Sequence, residues 1–185
     1  AKDNKIKIIY SATSSNLGNN GKDQNSSPYT WTKSKNIELI KNYSKWFGLK
    51  YEILYFYNVY GKGQINKGKM ATIIGIFETQ YKSRKPLTIV KPGTQKRDFT
   101  HIDDIVKGCY LAMNKGKQNE YMLSSEKKYS IFQIAKMFNF KYKFIASRIG
   151  DRSDSTVLNN NAKLILDFKA KENISHYIKK FIDEH

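Results

Sequence analysis

The sequence predicts an α/β protein in which buried strands alternate with amphipathic helices. The apolar run Lys5–Ser11 is rich in β-branched residues and predicts a buried strand. A helical pattern over Tyr29–Phe47 follows it, and a second strand is predicted over Tyr51–Val59. Because a strand, a helix and a strand of these lengths form a right-handed crossover, we expect the two strands to be parallel.

The first predicted helix is defined at both ends. It follows a polar, glycine-bearing loop that ends at Pro28. Its side chains Ile37, Ile40 and Phe47 share one face, and Gly48 occupies the position at which helices commonly stop.

Shorter elements follow, separated by cap and breaker residues. Pro86 ends one helical pattern, Asp103 is the predicted N-cap of the next helix, and Ser130 is the predicted N-cap of a third. The predicted elements are a helix over Lys69–Ser83, a strand over Leu87–Val90, an extended piece that becomes a helix over Arg97–Met113, strands over Glu120–Ser124 and Lys141–Ile145, and helices over Ile131–Phe138, Ala162–Leu166 and Ile174–Asp183.

The layout changes from long crossovers to short mixed elements at about Gly61. Residues 1–60 are therefore expected to hold a nucleotide-type parallel sheet. Residues 61–185 are expected to form a smaller α/β substrate-binding region that is interwoven with it.

Length and composition narrow the class of protein. With 185 residues and 39% hydrophobic content, the chain can build one sizeable core. The single cysteine, Cys109, excludes an internal disulfide framework, and three scattered histidines predict no metal site. The apolar run Ala71–Phe77 is too short to cross a bilayer, and no secretory signal is present. We therefore expect a cytoplasmic protein with no membrane partner.

A formal charge of +17 raises the alternative of a non-catalytic nucleic-acid-binding domain. The excess charge is nearly all lysine, dispersed along every segment, which is typical of solvated faces. We therefore expect no nucleic-acid partner. The four arginines, which bind carboxylate or phosphate with a planar fork, are more informative; they are Arg84, Arg97, Arg148 and Arg152.

A tyrosine followed four residues later by a lysine is a weak signal in a chain with 13 tyrosines. Tyr81 and Lys85 share this spacing, but they lie at the end of a predicted helix, just before Pro86. Tyr29 and Lys33 lie instead in the first turns of a helix that follows a strand and a Ser/Thr-rich loop. We therefore interpret Tyr81 as structural and Tyr29 as a candidate base.

This arrangement suits proton abstraction from an alcohol coupled to hydride transfer. A free phenol is a weak base at neutral pH, so a positive charge must stabilise the phenolate. The ammonium of Lys33, one helical turn from Tyr29, would supply that charge. A hydroxyl of Thr13, Ser14 or Ser15 could hydrogen-bond the same substrate oxygen.

Five motifs together resemble a known family. The sequence contains, in this order and over nearly all of its length, IIYSATSSNLG, PYTWTK, YFYNVYGKGQ, PGTQKRDFTHIDD and RIGD. This order resembles the extended short-chain dehydrogenase/reductase superfamily and, within it, the NAD-dependent sugar-nucleotide epimerase/dehydratase family typified by UDP-glucose 4-epimerase. The resemblance implies NAD as cofactor, a nucleotide-sugar substrate, and a homodimer built partly from the helix that carries Tyr29.

The resemblance also implies the catalytic residues. Thr13, five residues before Gly18, corresponds to the catalytic Ser/Thr of the family. Tyr29 corresponds to the base, and Lys33 to its partner.

Further residues of the family's motifs imply the binding sites. Tyr29, Lys33 and Phe56 would contact the cofactor. Asn58 in Asn-Val-Tyr-Gly, together with Arg97 and Arg148, would bind the sugar-nucleotide diphosphate.

The sequence departs from the family at its front. Family members begin with a strand, a glycine-rich turn and a helix that hold the pyrophosphate of NAD, and no G-x-G-x-x-G or G-x-x-G-x-x-G occurs here. We therefore expect an incomplete Rossmann-like sheet that lacks its N-terminal βαβ units, as the C-terminal part of a longer enzyme. Such a chain should leave an apolar sheet edge unpaired, bind NAD poorly and be nearly inactive alone.

The residues after Thr13 favour epimerisation. Dehydratases of the family carry Asp-Glu there, whereas this sequence has Ser14 and Ser15, which cannot act as acids. We expect C4 epimerisation through a 4-keto sugar, with reduction of a keto-sugar nucleotide or dehydration as alternatives. A relative that binds without chemistry is disfavoured by the intact set of Thr13, Tyr29 and Lys33.

Overall fold

The computed structural model describes residues 1–18, 22–25, 27–68, 70–146 and 156–185. Its strands are β1 (Ile8–Thr13), β2 (Tyr51–Phe56), β3 (Leu87–Val90), β4 (Lys96–Asp98), β5 (Glu120–Leu123), β6 (Lys128–Ser130) and β7 (Tyr142–Ile145). Its α-helices are α1 (Pro28–Phe47), α2 (Ile73–Lys82), α3 (Ile102–Lys115), α4 (Ile131–Met137), α5 (Asn161–Leu166) and α6 (Ile174–Asp183). The predicted α/β class is confirmed.

The main sheet is parallel and has the strand order β1–β2–β5. Thr13 is level with Phe56 at the carboxyl ends of β1 and β2, which places these ends at one edge of the sheet. β5 pairs with β2 from Ile53 and Glu120 onward, although it comes late in the chain. The division of the chain at residue 60 stays a proposal. In that division β5 would belong to the second region by sequence, yet it pairs with β2 of the first region.

The two faces of the main sheet carry different helices. Along β2, Ile53 and Tyr55 pack in one cluster with Ile37 of α1. Leu54 faces the other way and packs in a second cluster with Ile105 of α3. This alternation follows from the period of two along a strand, and it buries the sheet on both faces, as parallel sheets require.

A third core lies between α2, β3, α4 and α6, and includes the fully buried Phe77, Leu87 and Ile134. β3 pairs in parallel with β7, and β4 pairs antiparallel with β6. The short strand β6 was not predicted, because three residues before a helix cap give no periodic signal.

Several predicted boundaries move by a few residues. The first strand is shifted from Lys5–Ser11 to β1, so that Thr13 is the last residue of the strand itself. The predicted strand over Tyr51–Val59 ends with β2 at Phe56, and Asn58 beyond it has a positive φ of 24°. α2 begins only after Thr72, whose side chain accepts a hydrogen bond from the backbone N–H of Gly75.

The prediction of Asp103 as an N-cap is wrong. The N-cap lies two residues earlier, at His101, whose Nδ1 accepts a hydrogen bond from the backbone N–H of Asp103 at 3.3 Å. The neighbouring Asp104 is buried, and its carboxylate accepts hydrogen bonds from the backbone N–H groups of Lys171 and Glu172. It therefore ties the start of α3 to the segment before α6.

Candidate active site

A cavity of about 340 Å³ opens at the carboxyl ends of β1 and β2. Ligands bind at this edge in parallel α/β sheets because the loops that follow the strands converge there. The cavity is lined by Ser11, Ala12, Thr13, Ser14, Ser15, Tyr29, Lys33, Phe56, Asn58, Val59 and Met70. Five of the seven predicted site residues therefore lie around one space: Thr13, Tyr29, Lys33, Phe56 and Asn58.

The N-terminal cap of helix α1 sets the positions of Tyr29 and Lys33. Ser27 is the N-cap, and its Oγ accepts a hydrogen bond from the backbone N–H of Thr30 at 3.2 Å. The Thr30 hydroxyl accepts in return from the backbone N–H of Ser27 at 2.9 Å, which completes a capping box. With Pro28 in the first turn, these bonds fix the helix start, so Tyr29 and Lys33 fall one turn apart on the cavity side.

The ammonium of Lys33 contacts two groups of β1. It donates a hydrogen bond to the backbone carbonyl of Ser11 at 2.9 Å, and it lies 5.1 Å from the centre of the Tyr10 ring. Tyr29 is 48% exposed, so its phenol can reach a bound molecule without moving the core. A cation and an accessible phenol thus share one wall of the cavity.

Thr13 is nearly buried at the end of β1, where the chain turns into the 3-10 helix Ser14–Leu17. Its hydroxyl oxygen accepts a hydrogen bond from the backbone N–H of Ser15 at 3.2 Å, which leaves its proton available for another acceptor. The turn also places Ser14 and Ser15 on the cavity wall, where they supply hydroxyl groups and no carboxyl.

Two other tyrosines of the β2 region are poor candidates for a base. Burial raises the pKa of Tyr55 and of Tyr57 well above the usual range, and so favours the protonated phenols. The Tyr55 hydroxyl donates to Oε2 of Glu120 at 2.7 Å, and the Tyr57 hydroxyl donates to the carbonyl of Thr156 at 2.7 Å. Tyr29 differs from both in being accessible.

The spacing match at Tyr81 and Lys85 is structural, as predicted. Tyr81 packs within the third core, where its ring contacts Phe138, Phe140 and Phe181 at centroid distances of 4.9 to 6.2 Å. It lies outside the residues that line the cavity.

The predicted substrate-binding residues are not all brought together. Asn58 lines the cavity, and its side-chain amide donates to the backbone carbonyl of Asp98 at 2.7 Å. Arg97 lies on β4 and is buried, with its Nη1 donating to the carbonyl of Lys96 at 2.8 Å. It is absent from the residues that line this cavity, although Asp98 links its strand to Asn58. Arg148 lies outside the described residues.

The structure adds residues that the sequence did not single out. Val59 and Met70 supply an apolar wall, and Met70 comes from the loop between β2 and α2. No pattern marks Met70, because its place depends on how that loop folds. The backbone carbonyl of Ser11, which binds Lys33, carries no sequence signal at all.

Other kinds of site receive no support from the described part of the chain. There, no three histidine, cysteine or acidic side chains lie close enough to hold a metal ion. Across the same ranges, no helix combines the length and apolarity needed to cross a membrane.

The cavity supplies only part of what NAD requires. Tyr29, Lys33 and Phe56, the residues expected to contact the cofactor, surround one cavity at the carboxyl ends of parallel strands. The glycine-rich turn that would hold the pyrophosphate is not in this sequence.

Known proteins resemble this chain in sequence and in fold. Residues 1–124 match the model of the NAD dependent epimerase/dehydratase family. UDP-glucuronate 4-epimerase 3 of Arabidopsis thaliana is 33% identical over 124 residues, which cover 60% of this chain and 28% of that protein. The alignments with three of the curated relatives cover between 27% and 47% of those proteins' length.

Solved structures match nearly the whole chain. The crystal structure of UDP-glucose 4-epimerase from Thermotoga maritima with UDP-glucose aligns with a TM-score of 0.88 at 24% identity, covering 96% of this chain and 62% of that one. UDP-glucuronic acid 4-epimerase from Bacillus cereus, in complex with UDP-glucuronic acid and NAD, aligns with a TM-score of 0.81 at 25% identity and the same coverage. The sheet, the cavity and the family match lead to one conclusion: this chain belongs to the NAD dependent epimerase/dehydratase family.

Proposed function

We propose that this chain forms the catalytic and substrate-binding part of an enzyme that epimerises a nucleotide sugar at C4, through a 4-keto sugar. The observation that carries the proposal is the convergence of Thr13, Tyr29 and Lys33 on one cavity. NAD, when bound, would accept a hydride from the sugar and return it. The chain's own residues would handle the proton of the sugar alcohol.

Each residue has a defined part in that step. The phenolate oxygen of Tyr29, whose negative charge the nearby Lys33 ammonium stabilises, takes the proton of the C4 hydroxyl and becomes a neutral phenol. The Thr13 hydroxyl donates to the same sugar oxygen and orients it. When the 4-keto sugar is reduced, Tyr29 returns the proton to the oxygen.

Epimerisation is favoured over dehydration by the hydroxyl groups next to Thr13. Elimination of a hydroxyl needs an acid to protonate the leaving oxygen, and Ser14 and Ser15 cannot supply one at neutral pH. Reduction of a keto-sugar nucleotide would use the same residues in one direction only. NADH consumption separates this reduction from epimerisation, because epimerisation consumes no NADH.

Substrate would extend from the cavity toward β4. Asn58 lines the cavity and is hydrogen-bonded to Asp98 of β4, so it lies between the cavity and that strand. On the β4 side of Asn58, the diphosphate of the substrate would contact Arg97 and Arg148. In the structure the Arg97 side chain is buried, so we propose that it reorients when the nucleotide binds.

A fusion protein tests the proposed reaction. A dinucleotide-binding segment of the Thermotoga maritima enzyme, of which this chain covers 62%, would be joined to Ala1 to supply a glycine-rich turn. The fusion is expected to interconvert UDP-glucose and UDP-galactose, or the corresponding glucuronate or N-acetylglucosamine pair. The unfused chain is expected to bind NAD weakly and show negligible turnover, and epimerase activity from it alone would contradict this dependence.

Matched substitutions identify the base. Tyr29→Phe in the fusion should lower kcat by about a thousandfold, since the general base is removed while the ring is kept. Tyr81→Phe, which changes a tyrosine with the same spacing to a lysine, should leave kcat within about threefold of the parent. Equal effects of the two substitutions would remove Tyr29 from the mechanism.

We also propose that the enzyme is a homodimer formed through α1. Besides Tyr29, five large apolar side chains of this helix are between 40% and 60% exposed: Trp31, Leu39, Tyr43, Trp46 and Phe47. Exposed apolar patches of this kind mark interaction surfaces. Light scattering should report a dimer that Leu39→Lys/Trp46→Lys dissociates, whereas Leu164→Lys at an exposed leucine of α5 should leave it intact.

A further inference from the structure

Tyr10 contacts both the side-chain ammonium and the backbone carbonyl of Lys33. Its ring centre lies 5.1 Å from the Lys33 ammonium, within the range of a cation–π interaction. Its hydroxyl donates to the Lys33 backbone carbonyl at 3.5 Å and accepts from the side-chain amide of Asn36 at 3.3 Å. One side chain of β1 is thereby fixed to α1 and lies against the cation that α1 contributes to the cavity.

The Lys33 ammonium would otherwise be free to leave the cavity. A lysine stem has several rotatable bonds, so holding its ammonium in one place costs a considerable amount of rotamer freedom. Here the ammonium is held from two sides, by the Tyr10 ring and by the backbone carbonyl of Ser11. Both partners lie on β1, whose position is fixed by its pairing with β2.

The hydrogen bond to Ser11 follows from the geometry of that pairing. The backbone N–H of Ile8 bonds to the carbonyl of Lys50 of the neighbouring chain segment. Hydrogen-bonding groups alternate in direction along a strand, so Ile8 and Tyr10 direct theirs toward β2, while the carbonyl of Ser11 points away from it. That carbonyl is therefore available to the Lys33 ammonium.

We propose that Tyr10 is a positioning residue, which holds the Lys33 ammonium beside Tyr29 by means of its aromatic face before any ligand binds. The use of that charge in catalysis rests on the proposed function, whereas the placement itself does not. The ring is the essential part, because it faces the cation. The hydroxyl serves to orient the ring against Lys33 and Asn36.

Site-resolved lysine labelling tests this placement in the unfused chain. The protein would be treated with a limiting amount of an amine-reactive acylating reagent, and the modified fraction of each lysine measured by mass spectrometry of peptides. Tyr10→Leu should raise the labelling rate of Lys33 about fivefold, because it removes the ring, whereas Tyr10→Phe should change it by less than about twofold.

Other lysines of α1 serve as internal controls. Lys35 pairs with Glu38 on the solvent side, and Lys41 pairs with Glu120, so each of these ammonium groups has a partner other than Tyr10. Their labelling rates should stay the same in every variant, which separates release of Lys33 from general loosening of the helix. Circular dichroism of each variant would confirm that the helix content is retained.

Every outcome decides for or against the placement. Unchanged labelling of Lys33 in Tyr10→Leu would overturn the proposal, and so would equal increases in the Leu and Phe variants, since the ring would then not be the group that holds the ammonium. An increase shared by Lys35 and Lys41 would also overturn it, because Tyr10 would then be a packing residue. None of these readings depends on sugar or NAD, so they remain distinct from failure of the fusion assay.

Discussion

The Lys7 ammonium and the fully buried Glu52 carboxylate form an ion pair 3.1 Å long between the start of the main sheet and β2. Lys7 also donates to the backbone carbonyl of Met113 at 3.2 Å, near the C-terminal end of α3. Glu52 in turn accepts hydrogen bonds from the backbone N–H groups of Gln118 and Asn119. One buried carboxylate thereby joins β2, the end of α3 and the turn before β5.

Removing the charge of Glu52 is expected to destabilise the fold strongly. Glu52→Gln keeps the volume but leaves the Lys7 ammonium without its counter-charge and turns an amide N–H₂ toward donors, which should lower the free energy of unfolding by about 3 kcal/mol. Urea denaturation followed by circular dichroism measures it. Glu38→Gln removes the partner of Lys35 in an exposed pair and should cost less than about 0.5 kcal/mol; similar losses at both sites would contradict this account.

Gly61 is expected to tolerate no side chain. Its φ is 144°, and a Cβ atom there would lie 2.5 Å from Cγ2 of Ile102, so Gly61→Ala combines backbone strain with a steric clash. A loss of about 3 kcal/mol in the free energy of unfolding is expected. Gly63 also has a positive φ, of 85°, but it faces open space, and Gly63→Ala should cost only about 1 kcal/mol. Thermal unfolding of both variants would show whether the clash, and not φ alone, dominates.

The carboxyl group of Glu78 should make stability depend on pH. Burial raises its pKa, against the opposing hydrogen bonds from Tyr177 and Gln64. The folded state therefore holds this proton more tightly than the unfolded chain does, and Glu78 loses stabilising effect as the pH rises from about 4.5 through the folded pKa.

Glu78→Gln isolates this contribution. The free energy of unfolding of the parent minus that of the variant should be largest at the acidic end, and should decline as the pH rises through the folded pKa. Urea titrations from about pH 4 to about pH 7 measure the difference. A difference that increases with pH would mean that the hydrogen bonds outweigh burial.

Cys109 should react slowly with thiol reagents in the folded protein. It is half-buried, packs against the cluster between α3 and β5, and burial raises its pKa, which reduces the reactive thiolate. Its reaction with an aromatic disulfide at neutral pH should be at least about tenfold slower than in urea. The control is Lys107→Cys in a Cys109→Ser background, which places a thiol on the exposed side of the same helix and should react rapidly in both conditions.

Much of the local structure could be read from the sequence. The helix at Ile174–Asp183 and the strand at Leu87–Val90 have their predicted bounds, and Gly48 ends α1 in the left-handed conformation, as its position indicated. Caps were less reliable. Ser130 forms the predicted cap, but Asp103 does not, because the helix starts two positions earlier than an Asp103 cap would require.

The candidate site was predicted only in part. Thr13, Tyr29 and Lys33 could be selected because spacing and order along the chain are local properties, whereas the burial of Arg97 depends on how β4 packs. Met70 and the carbonyl of Ser11 had no signal, since a loop contact and a backbone group leave no mark on composition or periodicity.

The sequence by itself determined the α/β class, the order of strands and helices apart from the short strand β6, and the spacing of Tyr29 and Lys33 on one face of a helix. Only the tertiary structure decided that β5 completes the sheet beside β2, that Asn58 is tied to Asp98, and that the Tyr10 ring lies under the Lys33 ammonium. The reason is physical. Helices and strands are set by interactions between residues a few positions apart, whereas these contacts join segments far apart in the chain, whose positions depend on strand register and on how the cores pack.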